Sequence, residues 1–282
     1  MKPIVLELRE PPRVPVDMSP LAPDRLQGMR ARKVSALELW AGNARVPVGE
    51  LFKVSGEDHT RLVIRNAGAS LERIGAGMAA GHIEVEGDAG CYLGRGMRGG
   101  GIRVRGNCAE FCASAMQSGF IQVDGDVDDF LGAAVTGERQ GMRGGLVLVK
   151  GNADDRVGDR MRRGLILIEG SAGDYCCSRM IAGTVAVLGG VGNATGAGMR
   201  RGSLLLAIGP DAFPATFVDT GAHSLGFLTL WARQFRALDS TFAHLDSARA
   251  RVNRHVGDLA NGGQGEILVW VKDPSPARES AV

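Results

Sequence analysis

Arginine follows a repeated methionine at Arg98, Arg143, Arg162 and Arg200. The methionines are Met78, Met97, Met116, Met142, Met161, Met180 and Met199, and each has a glycine three residues on, from Gly81 to Gly202. Arg163 and Arg201 extend the pattern in two copies. With 33 Lys and Arg among 282 residues, fewer than one cation is expected at seven positions, so four are a signal. If the repeats stack, this phase becomes a line of guanidinium groups, which suits carboxylates or phosphates. The alternative is an ordinary solvated ridge, partly neutralised by neighbouring acids.

Other chemistry is sparse. No Walker phosphate loop, His-Glu-x-x-His or Gly-x-Ser-x-Gly is present, and His59, His82, His223, His244 and His255 form no close ligand set. Pieces such as Gly94-Arg95-Gly96 echo a dinucleotide fingerprint, but they belong to a β repeat with no long helix after it. Cys108, Cys112, Cys176 and Cys177 have no zinc spacing. The reading is therefore no catalytic residue and no metal ligand in this chain. Arg98, Arg143, Arg162 and Arg200 are the candidate binding residues.

Those arginines must be positioned by the repeat itself. Copies are 19 residues apart, with one step of 26 between Met116 and Met142. A fixed short period means a solenoid whose units stack on one another. Each copy leads into a short segment such as Ile102-Arg103-Val104-Arg105-Gly106, apolar at every second residue and mostly β-branched. That is strand grammar. Gly then Asp, Asn or Ser closes the segment, as tight turns require. Strands this short pair with the same strand of the next copy, giving rungs about 4.8 Å apart.

The fold class expected is all-β: a right-handed parallel β-helix of about seven coils, its methionines in one column. The domain reading is an N-terminal cap over 1–61, the repeat over 62–208, and a C-terminal cap over 209–282 with a helix and a short strand. Helix-like spacing runs from Trp231 to Val256, with Arg249, Arg251 and Arg254 on its polar face. The seven extra residues of the long step, from about Ala133 to Gln140, read as a loop on one face. The outer strand position is polar at Glu84, Arg103 and Gln122, then apolar at Leu148, Leu167, Ala186 and Leu205. That strip must be covered by the C-terminal segment or by another protein.

Composition sets outer bounds. A net charge of +2 gives no general pull toward nucleic acid or membrane. No apolar run reaches the roughly 18 residues of a membrane span, and the start lacks a signal-peptide cleavage region. Five cysteines, an odd number, fit a reducing cytoplasm. With 42 glycines the chain is turn-rich, and their periodicity argues against disorder.

The repeat Gly-x-Met-x-x-Gly-x-Ile-x-Val-x-Gly-[Asp/Asn]-Ala resembles the GXGXG repeat of the formylmethanofuran dehydrogenase C subunit. The same repeat builds the C-terminal domain of the large chain of glutamate synthase. The tail from Gly257-Asp258 through Gly263-Gln264-Gly265-Glu266-Ile267-Leu268 also resembles the end of the formylmethanofuran dehydrogenase chain. The resemblance spans about Leu51 to Val269 and departs from the glycine pattern at Ala113 and Cys177. It implies a non-catalytic scaffold of a bacterial formyltransferase/hydrolase complex in one-carbon metabolism. Such a complex moves a formyl group from tetrahydromethanopterin to a methanofuran-type carrier and releases formate. The implied partners are an amidohydrolase-like, metal-bearing A subunit, a B subunit and a formyltransferase D subunit, in the cytoplasm. The carrier's glutamate-rich side chain would suit the arginine row. The alternatives are a glutamate-synthase-type domain of an amidotransferase and a β-helical carbohydrate-active enzyme.

Overall fold

The structure is a computed structural model and describes residues 2–244 and 251–271. The chain is mostly β, built around one 13-stranded sheet with a small four-stranded sheet beside the N-terminal end. The repeat strands are His82–Gly87, Gly101–Val104, Phe120–Val123, Arg143–Val149, Arg163–Ile168, Thr184–Val187 and Arg201–Leu206. Each pairs with the next in parallel, so that Ile83, Ile102, Ile121, Val147, Ile166, Val185 and Leu204 are successive partners. A second parallel line of bridges runs through Ala89, Cys108, Val127, Ala153, Ala172 and Val191.

The parallel pairing continues past both ends of the repeat. Pro3–Leu8 pairs with Asp58–Ala67, which pairs with the first repeat strand. Gln264–Trp270 joins the last strand in register, with Leu204 opposite Ile267. Beyond these the sheet turns antiparallel, with Phe52–Ser55 at one edge and Arg251–Gly257 followed by Val218–Ser224 at the other.

Inside, all seven repeat methionines have no exposed surface. The terminal methyls of the first six lie beside the glycine of the following copy: a Cβ on Gly100, Gly119, Gly145 or Gly164 would meet the previous methionine's Cε at 3.0, 2.7, 2.6 and 2.8 Å. Those glycines also have positive φ, from 84° to 108°. Met-x-x-Gly therefore recurs because one copy's methionine fills the space that only glycine leaves open in the next. Three residues before the methionine, where Ala113 and Cys177 stand in the place of glycines such as Gly94 and Gly158, φ stays positive at 58° and 60°. Stacking on both neighbours overrides the local preference.

The turn after each strand is fixed by a side-chain ladder. Asp88, Asn107, Asp126, Asn152 and Ser171 each accept a hydrogen bond from a backbone N–H of the next copy.

The C-terminal segment differs from the helical expectation. The helix spans Gly226–Phe235, a short 3-10 turn spans Thr241–His244, and Arg251–Gly257 is a strand. The strand wins because Gln264–Trp270 needs an antiparallel partner, and six residue pairs from Val252–Trp270 to Gly257–Gly265 provide it. Arg251 and Arg254 therefore sit on a strand, while Arg249 lies outside the described residues. The helix and turn cover the outer strip: Leu148, Leu167, Ala186 and Leu205 are buried in one cluster with Leu228, Phe235, Phe242 and Leu268. The chain itself thus satisfies the need for a cover.

Candidate functional site

The backbone lines up the sequence-derived arginines. The residue after each methionine donates its N–H to the previous methionine's carbonyl: Arg98 to Met78, Gln117 to Met97, Arg143 to Met116, Arg162 to Met142, Ile181 to Met161 and Arg200 to Met180, at 2.7–2.8 Å. Arg98, Arg143, Arg162 and Arg200 thus occupy one line, broken by Gln117 and Ile181. All four are exposed.

Among the described residues none of the four lies within ion-pair distance of a carboxylate. Arg162 donates to the amide oxygen of Gln140 at 3.3 Å and Arg98 to the carbonyl of Gly77 at 3.5 Å. Other arginines of the chain are neutralised: Arg103 pairs with Asp124 at 2.9 Å, and Arg254 with Glu266 at 2.8 Å. Like charges on adjacent rungs repel, so an unneutralised row is suited to an anion from outside.

Two adjoining grooves, of about 650 and 660 Å³, run along this face. They share Arg162, Ile181, Arg200 and Asn261. Arg163 and Arg201 line the first, and Arg139, Arg160 and Arg179 the second. Arg98 and Arg143 line neither; they extend the line toward the earlier repeats. Arg139, Arg160 and Arg179 do not follow from the arginine phase in the sequence. Arg160 and Arg179 stand directly before a repeat methionine, a phase held elsewhere by Gly77, Gly96, Ala115, Gly141 and Gly198. Arginine at two such positions, with φ of 55° and 51°, was the available signal. Arg139 comes from the seven-residue insertion.

That insertion is tied down on the arginine face. Glu138 pairs with Arg95 at 2.7 Å, and its carbonyl accepts from Arg160. Arg179 is clamped by Asp159, whose hydrogen bonds raise the guanidinium pKa above its ordinary value. Asp159 is itself buried at 3% exposure and also accepts from Ser178. Arg179 is therefore a fixed wall of the groove, whereas Arg143, Arg162 and Arg200 remain available.

The cysteines other than Cys91 sit in the core. A hydrogen bond with Cys112 and full burial push the Cys108 thiol well above its ordinary pKa, and burial does the same for Cys177. Such thiols are poor nucleophiles. Among the described residues no group of three or more His, Cys, Asp or Glu is placed to hold a metal ion. None of the described helices is long and apolar enough to cross a membrane.

A stacked β repeat with a methionine–glycine column and an arginine-lined groove defines the class. The GXGXG motif family model matches residues 43–217, and the chain belongs to that family. Within it the chain is similar, over about a third of its length, to C subunits of formylmethanofuran dehydrogenase. It is 36% identical over 95 residues to the C subunit of the tungsten-containing formylmethanofuran dehydrogenase 2 of Methanococcus maripaludis, covering 33% of this chain and 35% of that one. It is also 36% identical over 83 residues to the C subunit of the molybdenum-containing formylmethanofuran dehydrogenase 1 of Methanothermobacter thermautotrophicus, covering 29% and 21%. The matches span about a third or less of these curated relatives. A solved structure gives a fuller match: a chain of the formyltransferase/hydrolase complex (FhcABCD) from Methylorubrum extorquens, in complex with methylofuran. It is 37% identical with a TM-score of 0.88, covering 95% of this chain and 100% of that one.

Proposed function

We propose that this chain is the scaffold subunit of a formyltransferase/hydrolase complex in one-carbon metabolism. In this reading the repeats wind as a right-handed parallel β-helix of about seven coils. Residues 1–61 and 209–282 act as caps over the open strand edges, which would otherwise aggregate. The nine successive parallel pairings, from Pro3–Leu8 to Gln264–Trp270, support this.

The complex would transfer a formyl group from tetrahydromethanopterin to a methanofuran-type carrier and release formate. An amidohydrolase-like A subunit would hold the metal, and B and formyltransferase D subunits would complete the assembly in the cytoplasm. The observation that carries the reading is the likeness, along nearly the whole chain, to one chain of the complex from Methylorubrum extorquens.

This chain's contribution would be to hold the carrier's tail rather than to react. Arg98, Arg143, Arg162 and Arg200 bind the anionic tail, and the grooves around Arg162 and Arg200 guide it. Guanidinium forks match carboxylates, and a line of them suits a repeated acid better than a single anion. Since the chain's own C-terminal segment covers the Leu148–Leu205 strip, that strip is not the partner surface.

The test is co-expression with the genes of the other subunits. The tagged chain is expected to retain formyltransferase and amidohydrolase chains through purification, and formyl transfer to require them. Formyl transfer or hydrolysis by the pure, folded chain alone would contradict the scaffold role.

A further inference from the structure

Opposite in character to the arginine face is an acidic edge with an aromatic column. Five residues before a repeat methionine stand Tyr92, Phe111, Arg156 and Tyr175, and Phe130 holds the same place in the copy that carries the insertion. All five have φ between 59° and 66°. The rings stack: Tyr92 on Phe111 at 5.3 Å, Phe111 on Phe130 at 4.6 Å. Arg156 lies over Tyr175 at 4.5 Å. None of these rings is buried, and Tyr175 is 40% exposed.

At Phe130, Arg156 and Tyr175 the residue before this position is an aspartate, and Asp129, Asp155 and Asp174 build a second ladder that ends at Asn193. One oxygen of each accepts the backbone N–H of the next copy, at Asp155, Asp174 and Asn193, at 2.7–2.9 Å. The first ladder makes the same bond with Asp88, Asn107, Asp126, Asn152 and Ser171, a mixture of charged and neutral residues. The bond therefore does not require a charge. On the second ladder three consecutive copies nevertheless keep one, with Asp128 and Asp154 beside them. Among the described residues none of these five carboxylates lies in an ion pair. Their crowding is unfavourable: burial and then Asp129, Asp128 and Asp155 push the Asp154 carboxyl above its ordinary value.

We propose that the Phe111–Phe130–Tyr175 column with the Asp129, Asp155 and Asp174 ladder is the docking surface for an arginine- or lysine-rich face of another subunit. The carboxylates stand about 4.8 Å apart, each with its second oxygen unused by the ladder. Cationic side chains of a partner can bridge them, and the apolar stems of those side chains can pack on the ring edges. Arg156, held over Tyr175 at 4.5 Å, offsets only one of the five charges. The charge excess, which the ladder does not use, identifies the occupant as cationic. This rests on the reading of the chain as a subunit of a hetero-oligomer.

The test replaces charge without removing the ladder bond: Asp129→Asn, Asp155→Asn and Asp174→Asn together, in the chain co-expressed with the other subunits. The thermal midpoint of the chain should hold or rise. Affinity for the subunit seated there should fall about tenfold or more, with a shallower dependence on salt. Phe130→Ala should weaken it without changing the salt slope, and Asp88→Asn should leave it unchanged. If the triple variant does not fold, Asp155→Asn alone should give a smaller loss of the same kind. Wild-type and variant complexes with equal affinity and equal salt slope would overturn the proposal while leaving the scaffold reading intact. A shift only in self-association of the chain would overturn it too, by naming a second copy as occupant. A wild-type chain that assembles with nothing would overturn both.

Discussion

The terminal methyl of Met116 lies 2.6 Å from where a Cβ on Gly145 would stand, although the two are separated by the longest step in the repeat. The insertion is looped out and the column is unbroken. Gly145 also has φ of 91°, and the same Cβ would stand 3.0 Å from the Gly119 carbonyl oxygen. Gly145→Ala should therefore cost about 3 kcal/mol. Met116→Ala opens a cavity and should cost about 2–5 kcal/mol. The double variant should cost less than the sum, since the smaller side chain relieves the overlap. Denaturant unfolding of the four proteins measures this; strict additivity would show that the contact is not shared.

In the middle of the column, Met161→Asp places a charge among residues with no exposed surface. Loss of several kcal/mol, or failure to fold, is expected. Retention of the wild-type unfolding midpoint would contradict the register of the stack.

The Asp258 carboxylate joins the last copy to the final strand. It is 5% exposed and accepts from the N–H groups of Gly198 and Ala260 and from the Asn261 amide. Burial acts to raise its pKa, but hydrogen bonds from Thr216, Gly198, Ala260 and Asn261 outweigh it and hold the carboxyl below 3.8. The folded state thus prefers the ionised form. The resulting stability is present above pH 3.8 and is lost as pH falls through the folded-state value. Unfolding midpoints of wild type and Asp258→Asn should differ near neutral pH and converge in strongly acidic solution. A constant difference across that range would exclude this carboxylate as the source.

Phe235 and Leu228 hold the C-terminal cover on the outer strip. Phe235→Ala should cost about 3–5 kcal/mol and raise binding of an apolar dye as Leu148, Leu167 and Leu205 become wet. An unchanged melting curve would mean that the cover is not coupled to the sheet.

Much of this architecture is legible in the sequence. The methionine–glycine period determines which side chains point inward, because a residue that stays apolar at one phase of every copy must be buried. The arginine line follows from the same phase. The strand Arg251–Gly257 does not, since its local spacing is helical and carries no trace of the partner strand Gln264–Trp270. Arg139, Arg160 and Arg179 reach the groove through a loop and through left-handed backbone, neither of which a strand pattern encodes. The aromatic column is hidden for a similar reason: the insertion shifts Phe130 out of its spacing to the next methionine, and Arg156 interrupts the run of rings.

In the proposed complex the arginine line would hold an anionic carrier tail for a reaction performed by other subunits. The decisive quantity is the apparent KM of the assembled complex for a long glutamylated carrier and for a truncated one, with Arg143→Gln and Arg162→Gln combined in this chain. A rise of about tenfold or more is expected for the long carrier, roughly 1.4 kcal/mol or more. The rise should shrink at high salt, and kcat on the short carrier should stay nearly unchanged. Equal losses on both carriers, or no loss on either, would contradict this role and return these arginines to an ordinary solvated ridge.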